Sequence, residues 1–192
     1  ITLGDEKVIQ GNAKKLNVNL NGIEIINPET SEKFNEFSET LFELRKHKGL
    51  TLDEAKNLIK KDLFFGAMLV REGIADGSVA GSASATADVL RAAIQCVGMA
   101  EGISIVSSFF LMIFPEITYS FADCAVVPNP TEEQLADIAI STADNHKKLT
   151  NEIPYVAMLS FSTKGSEEHE LIDKVRNATK YVQSKRKDLI VD

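Results

Sequence analysis

Short apolar runs rich in β-branched residues alternate along this chain with segments of helical periodicity. The runs at 23–26 and 156–161 predict strands, and the amphipathic segment 166–185 predicts a helix with Leu171 facing inward. Strands separated by helices need crossover connections, so the alternation predicts an α/β fold with largely parallel sheets. Further helices are predicted at 31–48, 63–72, 86–97 and 131–148, with another opened by Thr51, and further strands at 75–80, 103–113, 120–126 and 189–191.

The length of the chain bounds its domain organisation. Its 192 residues, 44% of them hydrophobic, suffice for one generous domain or two small ones. The stretch around residues 100–102 predicts a boundary between a first α/β domain, 1–100, and a second, 101–192. The chain starts with Ile1 and stops directly after a predicted strand. We therefore expect that both domains are incomplete here and that further residues exist at both ends.

Charge and cysteine content exclude several functional classes. A net charge of −7 without a basic patch argues against nucleic-acid binding, and no apolar run reaches the roughly 18 residues of a membrane span. The two cysteines have neither disulfide nor metal spacing, which indicates a reduced, cytoplasmic protein. His47, His146 and His169 also lack metal spacing, so we expect surface histidines, and Cys124 is expected to be a buried strand residue.

The segment 76–91 is the most informative part of the sequence. A predicted strand leads into a loop of small residues, and a helix starts at the end of the loop. Helix N-termini offer free N–H groups and partial positive charge to anions. An ordinary βα turn with a surface arginine would look the same, and GxxxxGK[ST] is absent. The candidate anion ligands are Gly81, Ser82, Ser84, Thr86 and Arg91.

Two further segments are candidates for phosphate binding. Arg45 lies among basic residues at a predicted helix C-terminus, where the residues alone favour a simple interaction with the helix dipole. Ser162, Thr163 and Lys164 follow a predicted strand and could form a second phosphate-binding edge. A polar connection with a helix cap at Ser166 explains that loop equally well.

Five motifs in order make the chain similar to one family. They are L-R-K-H-K-G at 44–49, A-D-G-x-V-x-G at 75–81 leading to T-A-D-x-L-R at 86–91, S-x-F-F-L-M at 107–112, F-A-D-C-A-V-x-P-N-P-T at 121–131, and A-M-L-S-F-S-T-K-G-S at 157–166. Together they resemble phosphate acetyltransferases, while the related phosphate butyryltransferases match less closely.

The resemblance implies reversible acetyl transfer between acetyl-CoA and phosphate, giving acetyl phosphate and CoA. It implies a homo-oligomer with two three-layer α/β domains, similar to isocitrate and isopropylmalate dehydrogenases, and an active site in the interdomain cleft. No metal or redox cofactor is expected. Arg45 and Arg91 match active-site arginines of the family, which favours a catalytic role over helix capping. Gly81, Ser82, Ser84, Thr86, Ser162, Thr163 and Lys164 would then bind phosphate or CoA.

Several departures from the family pattern limit this interpretation. The first βα unit, a C-terminal Ser-Arg pair, a nearby Asp taken as general base and another Arg are not in this chain. Ser84 stands where many relatives have His, Ala92 where they have Pro, and the loop between residues 114 and 121 is short. We therefore expect a partial active site. A butyryltransferase and a non-catalytic acetyl-CoA-sensing domain remain alternatives.

Overall fold

The computed structural model describes residues 1–192, which divide into two compact units. Unit 1 is Ile1–Gly98 and unit 2 is Met99–Asp192. Together they contain seven α-helices, one 3-10 turn and six strands, so the α/β class is confirmed. The strands pair as three two-stranded sheets, two parallel and one antiparallel. The domains of the whole protein stay a prediction.

Unit 1 is mainly helical. Its helices are α1 Glu6–Leu16, α2 Phe34–Arg45, α3 Leu52–Ile59, α4 Asp62–Arg71 and α5 Thr86–Cys96, and its parallel strands are β1 Thr2–Leu3 and β2 Ile25–Ile26. The sequence did not predict α1. None of its residues is buried, and the Asp5 carboxylate caps it by accepting from the Val8 N–H.

The core of unit 1 joins α2 to the three helices that follow it. Phe37 of α2 and Phe65 of α4 are fully buried, with ring centroids 5.0 Å apart. Burying a large apolar side chain contributes roughly 1.5–3 kcal/mol. Cys96 at the end of α5 reaches the same core, so this packing fixes both α2 and α5. The other fully buried members are Leu41, Ala55, Ile59 and Met68.

Local signals set most helix boundaries in unit 1. Thr51 and Glu54 form the capping box that the sequence predicts, and Gly49 ends the preceding turn at φ +89°. The strand predicted at 75–80 is wrong, because this segment forms no ladder and Val79 is fully exposed. The Ile74 and Ala75 N–H groups instead donate to the Leu69 carbonyl and complete the end of α4.

Unit 2 is an alternation of strands and helices. Its elements are the antiparallel hairpin β3 Phe109–Ile113 and β4 Thr118–Ala122, then α6 Glu132–Thr150, β5 Tyr155–Val156, α7 Glu170–Lys185 and β6 Ile190–Val191, with β5 and β6 parallel. The strand predicted at 103–113 starts only at residue 109. Before it, Ser104 bonds Asp137 and Ser108 bonds Asp123 instead of a strand partner.

The core of unit 2 lies between α6, α7 and β6. Ala136 and Val182 are fully buried in it. The prediction that Leu171 points inward is wrong: it is 45% exposed, and Ile172 is buried instead. The helix starts at Glu170, not at residue 166, and His169 is its N-cap. No helix in the structure is both long enough and apolar enough to span a membrane.

Candidate anion-binding site

The loop before α5 is open and built around one special backbone position. Gly81 has φ +113°, a conformation that L side chains rarely adopt, so glycine is required here. The Ser84 N–H donates to the Gly81 carbonyl at 3.5 Å, a long bond that closes the turn. Ser82 is exposed and Ser84 half-buried, and neither hydroxyl has a protein partner. Both hydroxyls are therefore free to donate to an anion.

The N-terminus of α5 carries backbone donors without acceptors. Its N-cap is Ala85, which has no side chain to accept from the first turn, and Thr86 is the first helical residue. The Thr86 and Ala87 N–H groups make no hydrogen bond. Free N–H groups and the helix dipole together favour an anion at this point. In α1, α3, α6 and α7 a side chain accepts from the first turn, as Thr131 does in α6, whereas α2 and α4 share the uncapped start of α5.

Arg91 lies on the same helix and is held by one carboxylate. Its Nη1 donates to Asp88 Oδ1 at 2.6 Å, and both side chains are more than half exposed. An exposed ion pair of this kind is worth only about 0.2–1 kcal/mol. Asp88 therefore holds the Arg91 guanidinium beside the first turns of α5. Because the ion pair is weak, little free energy is needed to break it when Arg91 binds another anion.

Arg45 is the last residue of α2 and is half-buried. The carboxylate nearby, that of Glu43, pairs with Lys46, and no acidic side chain pairs with Arg45. Burial raises the pKa of the Cys96 thiol to about 12, and the charges of Arg71 and Arg45 oppose that rise. The helix α2, which ends at Arg45, packs in the same core cluster as α5, which carries Arg91. The structure thus brings Arg45 and the helix of Arg91 together within unit 1.

The loop at 160–166 belongs to unit 2 and is occupied by its own hydrogen bonds. Ser162 Oγ lies 2.6 Å from Ser166 Oγ, and the Ser166 hydroxyl also bonds the Thr163 carbonyl at 2.6 Å. Lys164 pairs with Asp192, with both side chains about four-fifths exposed. The Ser162 and Ser166 hydroxyls thus satisfy each other, whereas the exposed Lys164 ion pair could readily change partner.

Asp123 organises the segment after β4 and was not a candidate from the sequence. Its carboxylate accepts from the N–H groups of Ser108, Ala125 and Val126, each at 2.8 Å. Burial raises the pKa of this carboxyl, but these bonds outweigh burial and leave the pKa below its usual range. Cys124 is half-buried in the loop after β4 and not inside a strand, and its thiol contacts Ser108 Oγ at 3.3 Å.

The three histidines differ in environment. His47 and His169 are exposed, as predicted, but the prediction of a surface position is wrong for His146, whose side chain is only 12% exposed. Its Nδ1 lies 2.9 Å from Ser120 Oγ. Spacing in the sequence gave no sign of this contact, because it joins α6 to β4. No three His, Cys, Asp or Glu side chains converge in a group that could hold a metal ion.

Comparison with known proteins finds relatives that match this chain over its whole length. The profile of the phosphate acetyl/butaryl transferase family matches residues 1–192. The chain is 44% identical to phosphate acetyltransferase of Clostridium acetobutylicum and 48% identical to that of Thermoanaerobacterium thermosaccharolyticum. Each alignment covers 100% of this chain and 60% of the relative.

Two solved structures that resemble this chain are also phosphotransacetylases. The EutD phosphotransacetylase from Staphylococcus aureus superposes with a TM-score of 0.89 at 40% identity, covering 100% of this chain and 59% of that one. A phosphotransacetylase from Streptococcus pyogenes gives 0.87 at 38% identity, covering 99% and 58%. The chain thus spans about 60% of the length of these relatives. The resemblance of the five motifs is confirmed, and the chain belongs to the phosphate acetyl/butaryl transferase family.

Proposed function

We propose that the protein containing this chain is a phosphate acetyltransferase, which interconverts acetyl-CoA plus phosphate and acetyl phosphate plus CoA. The observation that carries the proposal is the open loop at 81–91. It combines unpaired N–H groups at the start of α5 with an arginine held one turn away. The relatives named phosphate acetyltransferase, aligned with all of this chain, support the acetyl substrate.

In this proposal the loop of unit 1 holds the phosphoryl group. The Thr86 and Ala87 N–H groups and the hydroxyls of Ser82 and Ser84 donate to its oxygens, with Gly81 allowing a close approach. Arg91 exchanges the Asp88 carboxylate for the phosphate. The exchange replaces an exposed ion pair with a bidentate contact, for which the planar guanidinium is well suited.

Arg45 has a related role in the same proposal. In the direction that forms acetyl-CoA, the CoA thiolate attacks the carbonyl carbon of acetyl phosphate, a C–S bond forms, the C–O bond to phosphate breaks and phosphate leaves. Negative charge develops on the carbonyl oxygen and on the leaving phosphate, where fixed positive charge lowers the barrier most. Arg45 has no carboxylate partner to lose, so its charge is available at once. The thiol proton is taken by a base that we place outside this chain, which makes the chain a partial active site.

The unit 2 loop has a weaker, binding role in the proposal. Lys164 exchanges Asp192 for a phosphate of CoA, while Ser162 and Thr163 shape the loop and contact the same group. The exposure of the Lys164 pair supports this exchange, because exposed ion pairs are easily broken. Such a contact holds the substrate and adds little to the chemical step.

The wider organisation of the protein is part of the proposal. We place the whole protein in the two-domain class of isocitrate and isopropylmalate dehydrogenases, with three-layer domains that continue beyond residues 1–192. The α/β character of the chain supports this. We also propose a cytoplasmic homo-oligomer. The two free cysteines suit a reducing compartment.

Phosphate butyryltransferase is the second candidate, because the family description covers both acyl groups. The test is thioester formation from CoA with acetyl phosphate or butyryl phosphate, using the complete gene product and recording its intact mass. We expect faster turnover of acetyl phosphate, and faster turnover of butyryl phosphate would select the second candidate. Acetyl transfer by the isolated 192-residue chain would contradict the proposal that the general base lies outside this chain. If the complete gene product bound acetyl-CoA tightly but did not turn it over, the proposed catalytic function would be wrong and a sensing domain would be favoured.

A further inference from the structure

Unit 2 contains a cavity of about 560 Å³ that no role proposed so far uses. It is bounded by β4, by one face of α6 and by the chain around β5. Most of its lining is apolar, including Ile117, Phe121 and Ile138. Apolar residues at its border are unusually exposed: Phe121 is 55% exposed, Tyr155 74% and Leu159 83%. Apolar surface of this extent usually marks a place where another element packs.

The pattern of lining residues shows how the cavity lies against the strands. Every residue from 117 to 122 lines it, and so does every residue from 152 to 159. Side chains alternate between the two faces of a strand, so a cavity over one face would be lined by every second residue. Uninterrupted lining means that the cavity runs along the edges of both segments, where the backbone is accessible.

The backbone edge of β4 towards the cavity is unpaired. The Phe114 N–H donates to the Ile117 carbonyl and closes the hairpin, which fixes the alternation of the ladder to β3. Residues 119 and 121 therefore direct their backbone groups to β3. Those of Thr118, Ser120 and Ala122 point the other way and make no backbone hydrogen bond outside the hairpin.

The segment that contains β5 also has one unpaired backbone edge. The Val156 carbonyl accepts from the Asp192 N–H at 3.1 Å, and the Met158 N–H donates to the Asp192 carbonyl at 2.8 Å. Residues 156 and 158 thus face β6. By alternation Tyr155 and Ala157 face away from β6, and their backbone groups form no hydrogen bond. One apolar cavity is therefore bordered by two unpaired strand edges, with α6 beneath it.

We propose that this cavity is the slot of a missing β-strand: an extended apolar segment of the same polypeptide, outside residues 1–192, pairs with β4 on one side and with β5 on the other. Such a strand joins the hairpin and the β5–β6 pair into one sheet. It satisfies the free edges, which otherwise invite pairing with other chains. Two-stranded sheets are marginal alone, so both pairs gain from the insertion. Because the chain spans 60% of the relatives' length, they have residues to supply such a segment.

Hydrogen exchange of the complete gene product, read at single residues, tests the slot. We expect the Ser120 and Ala157 amides to exchange at least about 100-fold more slowly than unprotected amides, as in a paired strand. The Tyr119 and Val156 amides, which face β3 and β6, are the internal standard for pairing. Rapid exchange of Ser120 and Ala157 beside protected Tyr119 and Val156 would overturn the proposal. This readout does not depend on acetyl transfer, so it can fail or succeed separately from the proposed function.

The occupant is identified by a photo-crosslinking side chain introduced at Ala122, which borders the slot. We expect a crosslink within one polypeptide, to an apolar segment outside residues 1–192. Mixing unlabelled and ¹⁵N-labelled protein distinguishes this from a link between copies. A link to a second copy, or a link only to residues within 1–192, would overturn the proposed occupant.

Discussion

Two hydroxyl-rich loops that look alike in the sequence differ in the structure. Both follow predicted strands, and both carry serine and threonine beside a cation. In unit 1 the hydroxyls of Ser82 and Ser84 are unpaired and a helix begins with free N–H groups. In unit 2 the hydroxyls of Ser162 and Ser166 bond each other, and α7 begins only at Glu170 with His169 as its cap. Composition alone suggests an anion site in both loops. The two differ because only the unit 1 loop combines unpaired serine hydroxyls with free N–H groups at a helix start.

The largest expected effect is at Arg91. Replacing Arg91 with Ala removes a charge that we place on the phosphate, so we expect kcat/KM of the complete protein to fall about 10²–10³-fold. Arg176→Ala is a matched control, because Arg176 pairs with Asp173 at the same spacing and the same 2.6 Å. An equal loss of kcat/KM in both variants would show that breaking a surface ion pair explains the effect. The unit 1 loop would then no longer stand out as the phosphate site.

The second effect is expected at Arg45. Arg45→Ala should lower kcat/KM about 10–100-fold, the range for losing a charge-assisted hydrogen bond of roughly 1.5–3 kcal/mol. Lys46→Ala is the control, since Lys46 is the adjacent cation but is already paired with Glu43. If steady-state kinetics gave the larger loss for Lys46→Ala, the helix-dipole interpretation of this basic segment would be favoured.

A smaller effect is expected for a loop hydroxyl. Ser84→Ala removes one neutral donor, worth about 0.5–1.5 kcal/mol, so the KM for phosphate should rise about 2–10-fold with kcat little changed. Ser78→Ala removes an exposed hydroxyl from the same segment and should leave KM as it is. An unchanged KM in Ser84→Ala, measured by varying phosphate, would remove this hydroxyl from the site.

The smallest effect is expected in the unit 2 loop. Lys164→Ala should raise the KM for CoA no more than about 5-fold, because an exposed ionic contact contributes about 0.2–1 kcal/mol. The exposed Lys187 provides the control variant. A loss in kcat as large as that of Arg91→Ala would reverse the comparison and make the unit 2 loop the main anion site.

Features set by local interactions could be predicted from the sequence. The capping box at Thr51, the stop at Gly49 and the start of α5 at Thr86 all follow from residues within a few positions of one another. The five ordered motifs also sufficed to find the family. The roles of Arg45, Arg91 and the loop residues stay predictions, since they depend on ligands.

Features that depend on distant partners could not be predicted. Whether 75–80 becomes a strand depends on a neighbouring strand to pair with, and composition gave no information about that. The contact of His146 with Ser120, 26 positions away, depends on how α6 packs against β4. The difference between the two loops likewise depends on which groups accept their donors, such as Ser166 for Ser162. Local propensity cannot encode these contacts.

The most direct test of the central claim is a titration with inorganic phosphate, followed by amide chemical shifts in ¹H–¹⁵N spectra of the complete protein. We expect saturable shifts at Gly81, Ser84, Thr86 and Ala87, abolished by Arg91→Ala and retained in Arg176→Ala, with smaller changes at Thr163 and Lys164. Shifts confined to residues 160–166, or unchanged by Arg91→Ala, would contradict the assignment of the phosphoryl site to the start of α5.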